Sequence, residues 1–64
     1  HRTHDHIQYM LALAHALRDD IETAVEHLTR AIALNPNNRL QAKHEPDFDS
    51  IRGTQLFLDA VKRP

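Results

Sequence analysis

AIALNPNN, residues 31–38, decides how this chain is read. It begins as an Ala-rich amphipathic run and stops at a proline. Pro36 cannot continue a helix, because it has no N–H to donate and its ring clashes with the preceding turn. The same ring pushes Asn35 toward extended backbone. Asn37 and Asn38 suit a turn and the cap of a third element. LNPNN therefore closes one helix and opens another across a short connection. That is the punctuation of antiparallel helix pairs, and it does not recur downstream.

Upstream of it, the spacing predicts a helix over 21–34. Ile21, Ala24, Val25, Leu28, Ala31 and Ile32 fall on one stripe, with Glu22, Thr23, Glu26, Thr29 and Arg30 off it. Glu26 and Arg30 form an i, i+4 pair in the favourable order. Asp20 is the expected cap, and Arg18-Asp19-Asp20 the expected tight turn, since Asp tolerates the left-handed region. Before the turn, residues 7–18 read as another helix, with Asp5 as its cap. Here two stripes compete. Ile7, Met10, Leu11, Ala14 and Leu17 recur at the spacing of one helical face, and Tyr9, Leu13 and Ala16 form a second apolar stripe beside it. A helix apolar on two faces touches two things. The expectation is that helix 21–34 cannot cover Tyr9–Leu13–Ala16 as well, so that this stripe stays open.

Downstream the chain changes character. Residues 39–44 suit one or two helical turns with Leu40 and Ala42 inward, stopped by Glu45-Pro46-Asp47. Residues 48–52 suit a 3₁₀ turn burying Phe48 and Ile51. Gly53, the single glycine, is expected at positive φ. Thr54 then caps a last helix, 55–62, with Leu56, Phe57, Ala60 and Val61 as its apolar side.

Length and composition set limits. Sixty-four residues make one domain at most, and a chain of this size buries only about 60% of its unfolded surface. There is no cysteine to staple it. No apolar run approaches the ~18 residues of a membrane span, and no signal-peptide pattern is present, so a cytoplasmic location is expected. A start at His1 and an end at Val61-Lys62-Arg63-Pro64 suggest a piece of a longer protein. The net charge of −1 gives no electrostatic reason to expect nucleic acid or acidic lipid. Six histidines, if all protonated, would move that charge by six units to +5.

Residues 5–38 resemble one tetratricopeptide (TPR) repeat, the 34-residue helix–turn–helix unit. Leu11 and Ala12 stand where the family has Leu-Gly, and Ala14 and His15 where it has a small then an aromatic residue. Asp20 and Ile21 lie at the turn, Ala24 at the small packing site and Leu28 at the large one, followed by Ala31, Ile32, Leu34 and Pro36. Gln8 replaces a frequent Trp, and Asp19 a frequent Gly. Residues 39–64 resemble the closing segment that follows the last repeat in many TPR-containing bacterial proteins: Ala42-Lys43-His44-Glu45-Pro46-Asp47-Phe48-Asp49-Ser50-Ile51-Arg52, then Phe57 and Ala60-Val61. Glu45 replaces an Asp there, and Gln55 a Pro. A terminal repeat must cover its apolar face with something atypical, which would explain why NPNN does not recur. The resemblance implies that the first helix lines a concave groove, with His6, Tyr9, Leu13, Ala16 and Leu17 as the partner-binding surface. The Lys and Asn with which some members hold a terminal carboxylate are missing, so that partner is not implied.

Other constellations fall short. His1, His4, Asp5 and His6 offer imidazole and carboxylate donors, but a chain end supplies no second shell to orient them. HEPDF at 44–48 lacks the second His of a zinc-protease helix and is broken by Pro46. DFDSIRG at 47–53 lacks the Gly and Glu of a calcium loop. Ser50, His44 and Asp47 or Asp49 are triad residue types without a nucleophile elbow. No catalytic, cofactor-binding or metal residue is assigned. The sequence thus predicts a single all-α domain over residues 1–64, a TPR-like antiparallel helix hairpin followed by short capping helices. Its expected function is protein–protein interaction, not enzymology, with a protein or peptide partner and neither nucleic acid nor membrane. The alternative is homo-oligomerisation through helix 7–18. A helix-turn-helix DNA reader is least supported, since no helix has a basic face.

Overall fold

The chain first reverses at Arg18-Asp19-Asp20, and the backbone shows how. Asp19 takes a φ of 61°. The Asp20 N–H donates to His15 O (2.9 Å) and the Asp19 N–H to Ala16 O (3.0 Å). This bond pair, with a left-handed residue between, is a Schellman motif, and it satisfies carbonyls that a helix end leaves bare. In the computed structural model, which describes residues 2–62, α1 (Arg2–Leu17) runs into this turn and α2 (Ile21–Leu34) leaves it. Asp20 occupies the N-cap position of α2 without a side-chain capping bond. The Glu26–Arg30 pair forms at 2.7 Å on the exposed side of α2.

α2 keeps the expected bounds, whereas α1 starts earlier than expected, so Asp5 is not its cap. Asp5 lies inside the helix and is buried. Asn38 Nδ2 donates to Asp5 Oδ2 (2.9 Å) and to Ala31 O (3.0 Å), which joins the start of α1 to the end of α2 across the antiparallel hairpin. Asn38 therefore does not cap α3 (Asn37–Lys43). The side chain that braces that start is Asn35, whose Oδ1 accepts from the Asn37 N–H (3.1 Å). Asn35 is extended (φ −149°, ψ 102°), as a residue before proline should be. Ala42 points inward as expected, but Leu40 is exposed. The register of α3 puts Asn38 and Ala42 on one face, four residues apart, and Leu40 opposite.

A 3₁₀ turn at Pro46–Phe48 and α4 (Gln55–Lys62) complete the chain. Phe48 and Ile51 are fully buried. Thr54 caps α4, accepting from the Phe57 N–H (3.3 Å) while its hydroxyl donates to Ile51 O (2.7 Å). Gly53 does not take a positive φ. It is exposed, with no atom within 4 Å of where a Cβ would stand, so the left-handed position belongs to the first turn and not to this one.

The fold is all-α, with no strand among the described residues. The core brings five alanines (Ala12, Ala16, Ala24, Ala31, Ala42) against Tyr9, Leu28, Phe48, Ile51, Phe57 and Val61. The Tyr9 and Phe48 rings meet edge-on at 5.8 Å, and Phe48 and Phe57 at 5.3 Å. The two stripes of α1 are therefore assigned the other way round from the expectation. Tyr9 and Ala16 face the core, Leu13 packs at its edge, and the Ile7–Leu17 stripe faces out. Fit explains the choice. Ala12 and Ala16 let α2 approach through its own Ala24 and Ala31, where Leu11 and Met10 would hold it off.

Candidate functional site

The five residues expected to bind a partner do not share one surface. Tyr9 is 4% exposed and Ala16 0%, both in the core, while Leu13 is half-buried. His6 is exposed and Leu17 is 65% exposed. The open apolar surface of α1 is instead Ile7, Met10, Leu11, Ala14 and Leu17, with Ile7 and Met10 about half exposed. At 100° per residue these five fall within roughly a third of the helix circumference. They lie opposite the Tyr9–Ala12–Ala16 face. No Asp, Glu, Lys or Arg falls between Ile7 and Leu17.

Tyr9 has a different role. Its hydroxyl donates to Glu45 Oε1 (3.3 Å). Burial, and then the Glu45 carboxylate, push its pKa far above the usual phenol value, with Asp47 adding to this and Arg52 opposing. The ring links α1 to the segment that follows α3. Arg52 anchors that segment. Its Nη1 donates to Ala42 O (3.2 Å) and Lys43 O (2.6 Å), its Nη2 donates to Glu45 O, and its Nε donates to Asp49 Oδ1 (3.1 Å). A cation on the last carbonyls of α3 satisfies bare acceptors and complements the helix dipole. Its guanidinium also lies 5.6 Å from the Phe57 ring centre. Sequence reasoning placed Arg52 in a motif without a role, because backbone acceptors leave no mark in a sequence.

The other candidates disperse. His4 and His6 are exposed, while Asp5 between them turns inward to Asn38; consecutive helical positions point 100° apart and cannot converge. His1 lies outside the described residues. Among the described residues no three His, Asp or Glu side chains are grouped as a metal ion requires. The Ser50 hydroxyl donates to Ala16 O (3.2 Å), tying the closing segment to the end of α1. His15 and His27 stack across the hairpin with ring centres 5.6 Å apart. His27 Nδ1 donates to Gln8 Oε1 (2.7 Å), and His15 Nδ1 lies 3.3 Å from Asp20 Oδ2 without hydrogen-bond alignment.

A groove of about 410 Å³ between α2 and α4 is lined by Val25, Ile32, Leu56 and Ala60, with Arg39 and Asp59 on its walls. Arg39 Nε is buried there without a hydrogen-bond partner. The i, i+4 pair Leu56 and Ala60 was the sequence signal for this side of α4. Among the described residues, no helix is long and apolar enough to cross a membrane. No family model matches the chain, and no curated protein or solved structure matches it.

Proposed function

We propose that this chain is the closing end of a TPR-like helical array and acts as a protein–protein interaction module without catalysis. The observation that carries this reading is the outer face of α1, five contiguous apolar side chains turned away from the core. Exposed patches of this kind mark interaction surfaces. The resemblance itself rests on the residues, and two features support it. The left-handed residue of the turn, Asp19, falls where the family often has Gly. Phe48, Ile51 and Phe57 of the closing segment fill the open side of the hairpin. A cytoplasmic location, and a partner that is neither nucleic acid nor membrane, belong to the same reading; the net charge of −1 is in keeping with it.

Fusing a consensus helical-hairpin repeat ahead of His1 tests the array. Repeats stabilise their neighbours through shared interfaces, so the fused chain should melt in one transition at a higher temperature. Binding of the dye ANS to the α1 face should disappear. Two independent transitions with dye binding retained would overturn the reading. Homo-oligomerisation through helix 7–18 is the second reading, favoured by the same face.

A further inference from the structure

We propose that the groove between α2 and α4 is a binding site for an aliphatic monocarboxylate, a medium-chain fatty acid, whose carboxylate is held by Arg39. The groove shares no residue with the outer face of α1, so the site stands or falls apart from the array reading.

The body of the ligand follows from the lining. Val25 and Ile32 of α2 with Leu56 and Ala60 of α4 enclose about 410 Å³. A concave, mostly apolar space of this size with few polar groups is the usual build of a small-ligand site. Residues 25 to 33 of α2 run along it, and a rise of 1.5 Å per residue makes that stretch about 12 Å long. A staggered chain of ~1.5 Å carbon–carbon bonds advances roughly 1.25 Å per carbon, so about ten carbons match that length.

The head group follows from Arg39. Its neighbour Asn38 donates to Ala31 O (3.0 Å), which places Arg39 at the Ile32 end of the groove. The side chain is half-buried, and its Nε has no hydrogen-bond partner. Among the described residues no carboxylate forms an ion pair with it. Two other arginines show the contrast. Arg30 pairs with Glu26, and Arg52 is engaged by backbone carbonyls and Asp49. A guanidinium stays charged without depending on any titration near neutral pH, and a carboxylate matches its fork with two parallel bonds. Asp59, on the α4 wall, accepts from Gln55 Nε2 (2.8 Å). Its negative charge opposes a phosphate or a second carboxylate. A single carboxylate on an apolar chain satisfies both walls.

Decanoate is the probe, titrated by calorimetry into the whole chain near neutral pH and below its micelle concentration. It should bind one to one with a Kd of roughly 0.1–1 mM, as suits a ligand of this size. Arg39→Gln should weaken binding about tenfold or more, through the lost charge-assisted bonds, with the melting temperature unchanged. Arg39→Lys, which keeps the charge and loses the fork, should fall between. Decanedioate, which carries a second carboxylate to the apolar Val25 end, should bind more weakly than decanoate. So should decylammonium, since Asp59 is exposed and already bonded to Gln55. Amide resonances of Val25, Ile32 and Ala60 should shift saturably with decanoate, and Met10→Gln on the outer face of α1 should bind as the wild type does. Decanoate failing to bind at several times that Kd, or binding equally to Arg39→Gln, would overturn the proposal. Decylammonium binding as tightly as decanoate would assign the head group to Asp59 and overturn it, and loss of binding in Met10→Gln would move the ligand to α1 and do the same.

Discussion

The hairpin and the segment that follows it contribute differently to one core. α1 and α2 contribute small residues: Ala12, Ala16, Ala24 and Ala31 are fully buried, and Leu28 is their one large fully buried side chain. The closing segment contributes Phe48, Ile51 and Phe57. Alanines set the distance between the helices, and the large side chains fill the volume that the pair leaves open. Both parts belong to one buried cluster. The segment after Pro36 is therefore half of the interior and not a lid over a finished hairpin.

The comparison breaks most readily at Phe57. Phe57→Ala should cost about 3–5 kcal/mol. A chain of this size has only roughly 3–10 kcal/mol in total, so the variant should be largely unfolded by circular dichroism. Truncation after residue 44 should do the same. A truncated hairpin that kept its helicity and melting temperature would show that the hairpin carries its own core. Ala24→Leu probes the other half. Overpacking a close helix crossing should cost about 1–3 kcal/mol, while Leu17→Ala on the exposed side of α1 should change stability by less than about 0.5 kcal/mol. Equal melting of the two variants would mean that Ala24 is not a spacing residue.

The same contrast explains what was legible in the sequence. α2 and α4 were readable to the residue, because each has one apolar stripe and a clear boundary signal. α1 was readable as a helix but not as an orientation. Both of its stripes have helical spacing, and hydrophobicity favours the one with Ile7, Met10 and Leu11. Packing chose by size instead, and size fit depends on what α2 presents across the interface, which no single helix encodes. Asn38 read as a cap because Asn favours turns; its buried bonds to Asp5 and Ala31 O depend on tertiary placement. Gly53 read as left-handed from its residue type, yet the left-handed position went to Asp19. The stripe expected to stay open, Tyr9–Leu13–Ala16, is thus the one that faces the core, and the stripe expected inside is the exposed one.

Tyr9 joins the two regions and offers a smaller, sharper test. Its pKa is raised in the folded chain, first by burial and then by Glu45. A raised pKa stabilises the fold below the unfolded value near 10.0, and that contribution is lost as pH rises beyond it. The chain has one tyrosine and no tryptophan, so absorbance near 295 nm follows this group alone. Tyrosinate should appear only together with loss of helicity, above pH 10.0. A half-ionised tyrosine at pH 10.0 in a chain still helical would contradict the burial. Tyr9→Phe should cost about 0.5–1.5 kcal/mol at neutral pH through the lost Glu45 bond, and should flatten the alkaline decline.

The smallest expected effect lies in the turn, where the sign matters more than the size. Asp19 holds φ at 61°, where a Cβ crowds the backbone and Asp is tolerated at a cost. Glycine has no Cβ and favours this position after a helix. Glycine also gives the unfolded chain more freedom, which offsets part of the gain. Asp19→Gly should therefore stabilise the chain by about 0.5 kcal/mol, the difference between relief of strain and added unfolded-state entropy. For a domain this small that is roughly 2–4 °C in Tm. Asp19→Val should move it the other way by about 1–2 kcal/mol, since a β-branched side chain fits the left-handed region worst. The two variants leave every core contact untouched, so any shift reports the turn alone. If Gly lowered Tm, or Val left it unchanged, the Schellman bonds to His15 O and Ala16 O would not depend on a left-handed residue at position 19. The antiparallel approach of α1 and α2 would then owe nothing to that residue's conformation, and the alanine contacts between the helices would have to set it unaided.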